Sequence, residues 1–190
     1  MINKFKYSSD NKKYYTLNYY YRNKYNSKVF KVSLNAGFGC PNKKNGNGCI
    51  YCLNGSGENR GMSLTEQFNI VKNTMEKKWK NSKYIGYFQA DTNTYAPLSK
   101  LKECYESILN IDGVIGLNIA TRPDSITDEV YDYLEELSKR TDLVVDGVKL
   151  TTTSSSSTNT TKTCIYKSSS GIDLRVYTGG TLTFTAPEDY

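Results

Sequence analysis

The chain has 190 residues, with 25 Lys and Arg against 19 Asp and Glu, a formal net charge of +6 and no histidine. This length suits one core-bearing domain of ordinary size and argues against a second full domain. No stretch reaches the ~18 apolar residues of a membrane span, and the first residues lack the apolar core of a secretory signal. The composition therefore predicts a soluble cytoplasmic protein that has no membrane partner.

Residues 1–27 form a basic, tyrosine-rich N-terminal arm. Residues 1–31 carry eight Lys and Arg, one Asp and seven Tyr. Cations interleaved with aromatic rings can hold nucleic-acid phosphates and stack on bases. A basic run is more commonly a solvated face, and we weight that interpretation roughly two to one over nucleic-acid binding.

Short apolar runs alternate with helical periods after the arm. The pattern predicts four strands, at residues 28–36, 83–90, 113–121 and 142–150. Three helices separate them: from Ser63 to about Trp79, from Pro97 through Ile108, and from a cap at Ser125 or Thr127 through Leu137. Such alternation is typical of parallel βαβ units with right-handed crossovers, so the expected fold class is α/β. In barrels of this type the chemistry collects on the loops that follow the strands.

The character of the sequence changes at residue 151. Residues 151–163 hold seven Thr, four Ser and no apolar side chain, which predicts a flexible linker over 151–170. The remaining segment, 171–190, predicts a small β-hairpin whose turn is Gly179 and Gly180.

Three of the five cysteines crowd the glycine-rich loop after the first strand. Cys40, Cys49 and Cys52 have the spacing C-x8-C-x2-C. Thiolates bind zinc or iron–sulfur clusters, and an odd number of cysteines fits poorly with a disulfide framework. A structural zinc site needs four ligands, but the chain has no histidine, Cys104 lies in a predicted helix, and Cys164 follows the linker. The residues therefore favour a cluster with an open position, and zinc stays as the competing interpretation.

The cysteine segment "KVSLNAGFGCPNKKNGNGCIYC" resembles the cluster loop of radical S-adenosylmethionine (SAM) enzymes. It is most similar to an uncharacterised group related to the catalytic subunit of Elongator. Three further features support the resemblance: "GYFQADTNTYAP", "IGLNIATRPD", and Tyr51 just before the last cysteine. The resemblance covers residues 28 to about 145.

The resemblance implies a partial (β/α) barrel of radical SAM type, with residues 28–150 as its core. The last forty residues cannot supply the two further βα units that complete such a barrel, so we expect it to be incomplete after the fourth strand, through truncation, frameshift or fusion. By analogy, Cys40, Cys49 and Cys52 ligate three irons of a [4Fe-4S] cluster, and the cosubstrate SAM chelates the fourth iron. The reduced cluster then cleaves SAM to methionine and a 5′-deoxyadenosyl radical, which abstracts hydrogen from a substrate. The missing fourth ligand is, on this interpretation, the cosubstrate.

Three further residues are candidates for SAM binding because their loops lie beside the cluster loop in this family. Gln89 and Asn93 could hydrogen-bond the methionyl or ribose end of SAM, and Arg122 could pair with its carboxylate. Asn93 could instead only shape a turn, and Arg122 could form a salt bridge with Asp124. Asp91 stands where an aromatic residue is expected in this segment, and no catalytic residue is assigned.

The resemblance predicts an iron–sulfur enzyme that takes electrons from a donor such as flavodoxin or ferredoxin. Kinship with Elongator and the basic arm favour tRNA as the substrate, through modification of a wobble uridine. The alternative is a catalytically inactive, truncated remnant or a cluster- or zinc-containing RNA-binding protein. SAM cleavage by the reduced protein separates the two hypotheses.

Overall fold

The computed structural model describes residues 14, 16–46, 48–49, 61–145, 148–151, 163–168, 173–177 and 182–185. They form an α/β fold in which one sheet carries eight strands in sequence order. The first three neighbouring pairs are parallel, and the next four are antiparallel. The α/β class is therefore confirmed, with a parallel part of four strands.

The parallel strands follow the predicted pattern closely at the first three positions. They are β1 (Val29–Leu34), β2 (Lys83–Phe88), β3 (Val114–Ile119) and β4 (Asp142–Val145). The helices are α1 (Leu17–Tyr25), α2 (Pro41–Lys44), α3 (Leu64–Lys78), α4 (Leu98–Leu109) and α5 (Asp128–Arg140). None of the helices in the described part of the chain is long and apolar enough to cross a bilayer.

Local capping chemistry explains where the three long helices begin. At α3, the Ser63 side chain accepts from the Glu66 N–H while the Glu66 carboxylate accepts from the Ser63 N–H. Pro97 is the cap residue of α4, one position before its first turn. Thr127, rather than Ser125, caps α5, because Ser125 ends a short 3-10 turn.

The prediction of a single fourth strand over residues 142–150 is wrong. β4 ends at Val145, and β5 (Val148–Thr151) runs antiparallel to it, with Val145 opposite Val148. The intervening sequence Asp-Gly is typical of a two-residue hairpin turn, although residues 146–147 lie outside the described residues. The apolar residues before and after this pair led to the prediction of one continuous strand.

The chain after residue 151 continues the sheet where it is described. Its strands are β6 (Thr163–Ser168), β7 (Asp173–Tyr177) and β8 (Leu182–Thr185). β7 and β8, which lie in the segment predicted as a hairpin, pair antiparallel, while Gly179 and Gly180 lie outside the described residues. β6 lies within the segment predicted as a linker, whose residues 152–162 and 169–170 are not described.

Helices α3, α4 and α5 cover one face of the parallel strands. Alternate strand residues such as Val32, Leu34, Leu117 and Leu143 are fully buried there. The helices contribute Phe68, Leu101, Tyr105, Ile108, Leu134 and Leu137 to the same core. We call the opposite face of β1–β4 the open face; it carries the other residues of each strand, such as Lys31 and Ser33.

Helix α1 holds the start of β4 on the open face. Asp142 alternates away from the core residue Leu143, and its side chain is 4% exposed. Lys24 Nζ and Tyr25 Oη donate to Asp142 Oδ2 at 2.7 and 2.6 Å. Burial, with the Asp142 hydrogen bond, raises the pKa of Tyr25. Part of the basic arm therefore belongs to the fold, and Tyr21 beside these residues is buried as well.

Candidate metal centre at the cysteine loop

Two of the three predicted ligands lie beside the short helix α2, which follows β1 in the chain. Cys40 caps the short helix α2, and its carbonyl accepts from the N–H groups of Lys43 and Lys44 at 3.0 and 3.1 Å. The Asn42 amide Nδ2 donates to Cys49 Sγ at 3.1 Å. Cys40 and Cys49 are both cysteines of intermediate exposure. The third predicted ligand, Cys52, lies with Tyr51 outside the described residues.

The surroundings of Cys40 favour its thiolate. Desolvation raises the pKa of Cys40, but hydrogen bonds from Thr92 and from the Asn42 and Lys43 N–H groups, with the Arg122 charge, outweigh it. The pKa of Cys40 is therefore lowered overall. Because the thiolate is the form that binds metal, this environment suits a ligand.

The loop after β2 holds the cysteine loop from one side. The Thr92 N–H donates to the Gly39 carbonyl at 2.9 Å. Lys43 forms an ion pair with Asp91, whose carboxylate side chain is 9% exposed and whose backbone φ is +66°. Asp91 therefore forms an ion pair with α2, and an aromatic residue at position 91 could not form that ion pair.

Gln67 of α3 holds both ends of the cysteine segment from the other side. Its Oε1 accepts from the Asn35 N–H at 2.9 Å, and its Nε2 donates to the carbonyls of Asn35 and Met62 at 3.0 Å each. Gln67 is 1% exposed. Sequence reasoning missed it, although a polar residue on the apolar stripe of Leu64 and Phe68 was a usable signal.

Asn93 joins the ends of β2 and β3. It is fully buried, and its Nδ2 donates to the carbonyls of Phe88 and Ala120 at 2.9 and 2.8 Å. These hydrogen bonds give Asn93 a structural role, which is the alternative to SAM binding. Its Oδ1 is buried and accepts no hydrogen bond from the described residues, so that atom could still meet a ligand.

Gln89 and Arg122 lie on the exit loops of β2 and β3. Gln89 is exposed, and its Oε1 accepts from Ser33 Oγ at 3.2 Å. Arg122 Nε and Nη2 donate to the Asp124 carboxylate at 2.9 and 2.6 Å, the salt bridge weighed against a SAM contact. This hydrogen bonding raises the pKa of Arg122 and lowers that of Asp124. The Arg122 charge also acts on Cys40, which places the guanidinium near the cysteine loop.

We expect Asn93→Ala to lower the free energy of unfolding by about 2 kcal/mol, because two buried carbonyls each lose one donor. Urea unfolding without SAM measures this loss. Asn73→Ala is the matched control, since Asn73 is exposed on α3 and its replacement should cost under about 0.5 kcal/mol. Equal stability of the two variants would contradict the structural role of Asn93.

The donor set of the cysteine loop is compatible with a thiolate-bound metal group, although the described residues contain only part of it. They hold no cluster of three or more Cys, His, Asp or Glu side chains placed to bind a metal. The two thiols of Cys40 and Cys49 are present, and Cys52 lies outside that part of the chain. The lowered pKa of Cys40 is the observation that supports the fit.

Comparison with known proteins finds relatives that match part of their own length. The chain is 50% identical to the uncharacterized protein YtqA of Bacillus subtilis over 151 residues, which are 76% of this chain and 47% of YtqA. It is 41% identical to the uncharacterized protein MJ0486 of Methanocaldococcus jannaschii, over 62% of this chain and 38% of that protein. Protein YhcC of Escherichia coli is 33% identical over 60% of this chain and 38% of its own length.

The chain thus spans about half, or less, of the length of these curated relatives. No family model matches it. No solved structure matches it either. The names of these relatives state no activity, so the similarity assigns no function to the chain.

Proposed function

We propose that the chain forms part of a radical SAM enzyme in which Cys40, Cys49 and Cys52 bind a [4Fe-4S] cluster. The observation that carries the proposal is the placement of Cys40 and Cys49 beside the short helix α2, beyond the end of a parallel strand, where hydrogen bonds from Thr92 to Gly39 and from Asn42 to Cys49 hold the loop. The carboxyl edge of such a sheet is where α/β proteins commonly bind ligands. The sequence resemblance supplies the identity of the cluster and of SAM.

When bound, the cluster would supply the electron that cleaves the SAM sulfonium bond. The chain's own residues hold the parts in place. Asp91 anchors Lys43 beside the cysteines, and Arg122 is the candidate partner of the SAM carboxylate, in exchange for or alongside Asp124. Asn93 Oδ1 is a buried acceptor, and Gln89 offers an exposed amide. We assign no catalytic residue.

The proposed substrate is tRNA and the proposed electron donor is a small redox protein such as flavodoxin or ferredoxin. Both rest on the family resemblance, and the net charge of +6 is compatible with an RNA partner. The alternative of a non-catalytic RNA-binding protein has less support, because Tyr21, Lys24 and Tyr25 of the basic arm are engaged in the fold.

Metal and sulfide analysis of the whole chain tests the proposal. After anaerobic purification and reconstitution, we expect about four irons and four acid-labile sulfides per chain. Reduction with dithionite in the presence of SAM should then yield 5′-deoxyadenosine, quantified by chromatography. Stoichiometric zinc, or a folded chain that takes up no iron, would contradict the proposal.

A further inference from the structure

A group of polar side chains on the open face lies outside the candidate metal centre. By strand register, Lys31 and Ser33 of β1 lie beside Ile85 and Tyr87 of β2, and Asn118 of β3 lies beside Tyr87. Gln89 follows β2 on the same face and accepts from Ser33 Oγ at 3.2 Å. These residues belong to the strands whose ends hold the cysteine loop.

Lys31 is a cation whose contacts are neutral. Its Nζ lies 5.5 Å from the centroid of the Tyr87 ring. With the Asn118 amide turned so that its oxygen faces Lys31, Oδ1 accepts from Nζ at 3.1 Å and Nδ2 donates to the Leu117 carbonyl at 3.3 Å. No ion pair joins Lys31 to a carboxylate among the residues that the structure describes.

Desolvation acts on this cation without a compensating negative charge. The surrounding protein lowers the pKa of Lys31, and desolvation is the cause. Asp142, an acidic residue on the same face, is already bound by Lys24 and Tyr25. Lys31 is nevertheless exposed, so an anion from solution can reach it. A cation with no countercharge among the described residues gains stability from such a contact.

The polar groups of Gln89 and Tyr87, on the same face as Lys31, can act as hydrogen-bond donors. The Gln89 carbonyl oxygen is taken by Ser33, which leaves the Gln89 Nε2 group to donate. The Tyr87 hydroxyl can donate as well, and Tyr87 is only partly buried. Lysine binds phosphate as a point charge, whereas planar carboxylate recognition commonly uses the bidentate fork of arginine.

We propose that the open face of β1 and β2 carries a phosphate-binding site, in which Lys31, Tyr87 and Gln89 bind a phosphate group of a nucleotide substrate. Lys31 is three residues from the end of β1, which is ~10 Å along the strand. A nucleotide anchored there can extend toward the cysteine loop. Only the assignment of this ligand as the substrate rests on the proposed radical SAM function.

Direct binding tests the site without iron or SAM, so its failure is distinguishable from failure of the radical SAM proposal. The probe is uridine 5′-monophosphate, with uridine and inorganic phosphate as comparisons, titrated by calorimetry into the full chain. We choose uridine because an adenosine compound could occupy a SAM site. Wild type should bind the monophosphate and phosphate, and should bind uridine at least about tenfold more weakly, a difference of ~1.4 kcal/mol.

Charge removal then locates the site. Lys31→Gln should raise the dissociation constant of the monophosphate at least about tenfold. Lys77→Gln should leave it unchanged, since Lys77 is exposed on α3. Tyr87→Phe should weaken binding by a smaller factor. The proposal is overturned if wild type binds neither phosphate nor the monophosphate, if uridine binds as tightly as the monophosphate, if acetate competes as well as phosphate, or if Lys31→Gln binds like wild type.

Discussion

Cys49→Ala should leave the reconstituted chain with almost no iron or acid-labile sulfide. Cys49 lies beside α2, the helix that Cys40 caps, and its sulfur accepts a hydrogen bond from Asn42 Nδ2 at 3.1 Å. Removing one of three thiolate ligands leaves an iron of the cluster without its protein ligand. The measurement is iron and sulfide per chain after anaerobic reconstitution, with circular dichroism to verify that the variant is folded.

Cys104→Ala is the matched control for the loss of a thiol. Cys104 is 7% exposed within α4, and burial raises its pKa, so it is a core residue rather than a ligand. We expect roughly 1 kcal/mol of destabilisation from the small cavity. Its iron and sulfide content should match wild type. The cluster assignment fails if Cys49→Ala keeps its iron, or if both variants lose iron equally.

Gly116→Ala should cost about 3 to 5 kcal/mol in the free energy of unfolding. Gly116 lies in β3 opposite Asp142 of β4. A Cβ at this position would lie 2.0 Å from the Asp142 carbonyl oxygen and 2.8 Å from both its carbonyl carbon and its Cβ. These are mostly backbone atoms, so the strands themselves must separate. Urea unfolding, or loss of soluble protein on expression, measures the effect.

Gly46→Ala provides the comparison, because a Cβ there would meet only the Asn42 carbonyl oxygen at 3.5 Å. That distance is ordinary van der Waals contact, and the change should stay within about 0.5 kcal/mol. Similar unfolding midpoints for the two variants would show that β3 and β4 can separate without cost. The tight approach at Gly116 would then not be a determinant of the fold.

Local signals were sufficient to predict most of the parallel part of the fold. Ser63 and Thr127 cap helices where their side chains can accept from the first turn, and apolar alternation located β1, β2 and β3 within two residues. The prediction failed at residues 142–150, because the Asp-Gly pair at positions 146 and 147 was included in one strand, although such a pair commonly separates two strands. β6 pairs with β5 and with β7, but it lies in the Thr- and Ser-rich segment that composition predicted as a linker.

The cysteine loop was predictable because three cysteines at short spacing are conspicuous. The residues that hold the loop were not, since their partners are distant in sequence. Gln67 contacts Asn35 across 32 residues, and Lys43 contacts Asp91 across 48. A single polar residue carries no local sign of which distant backbone group it will bind. The possible binding role of Lys31 was not predicted for a related reason. Alternation identifies the buried residues of β1, whereas the neighbours of Lys31 on the open face come from β2 and β3.

The attachment of α1 has a consequence for the order of folding. The bonds from Lys24 and Tyr25 to Asp142 span 118 and 117 residues of chain. A nine-residue helix is marginal by itself, and long-range contacts form late because the intervening chain must first be ordered. Synthesis produces α1 long before β4 exists. The helix that is made early therefore gains its hydrogen bonds to Asp142 only when the last parallel strand has been added.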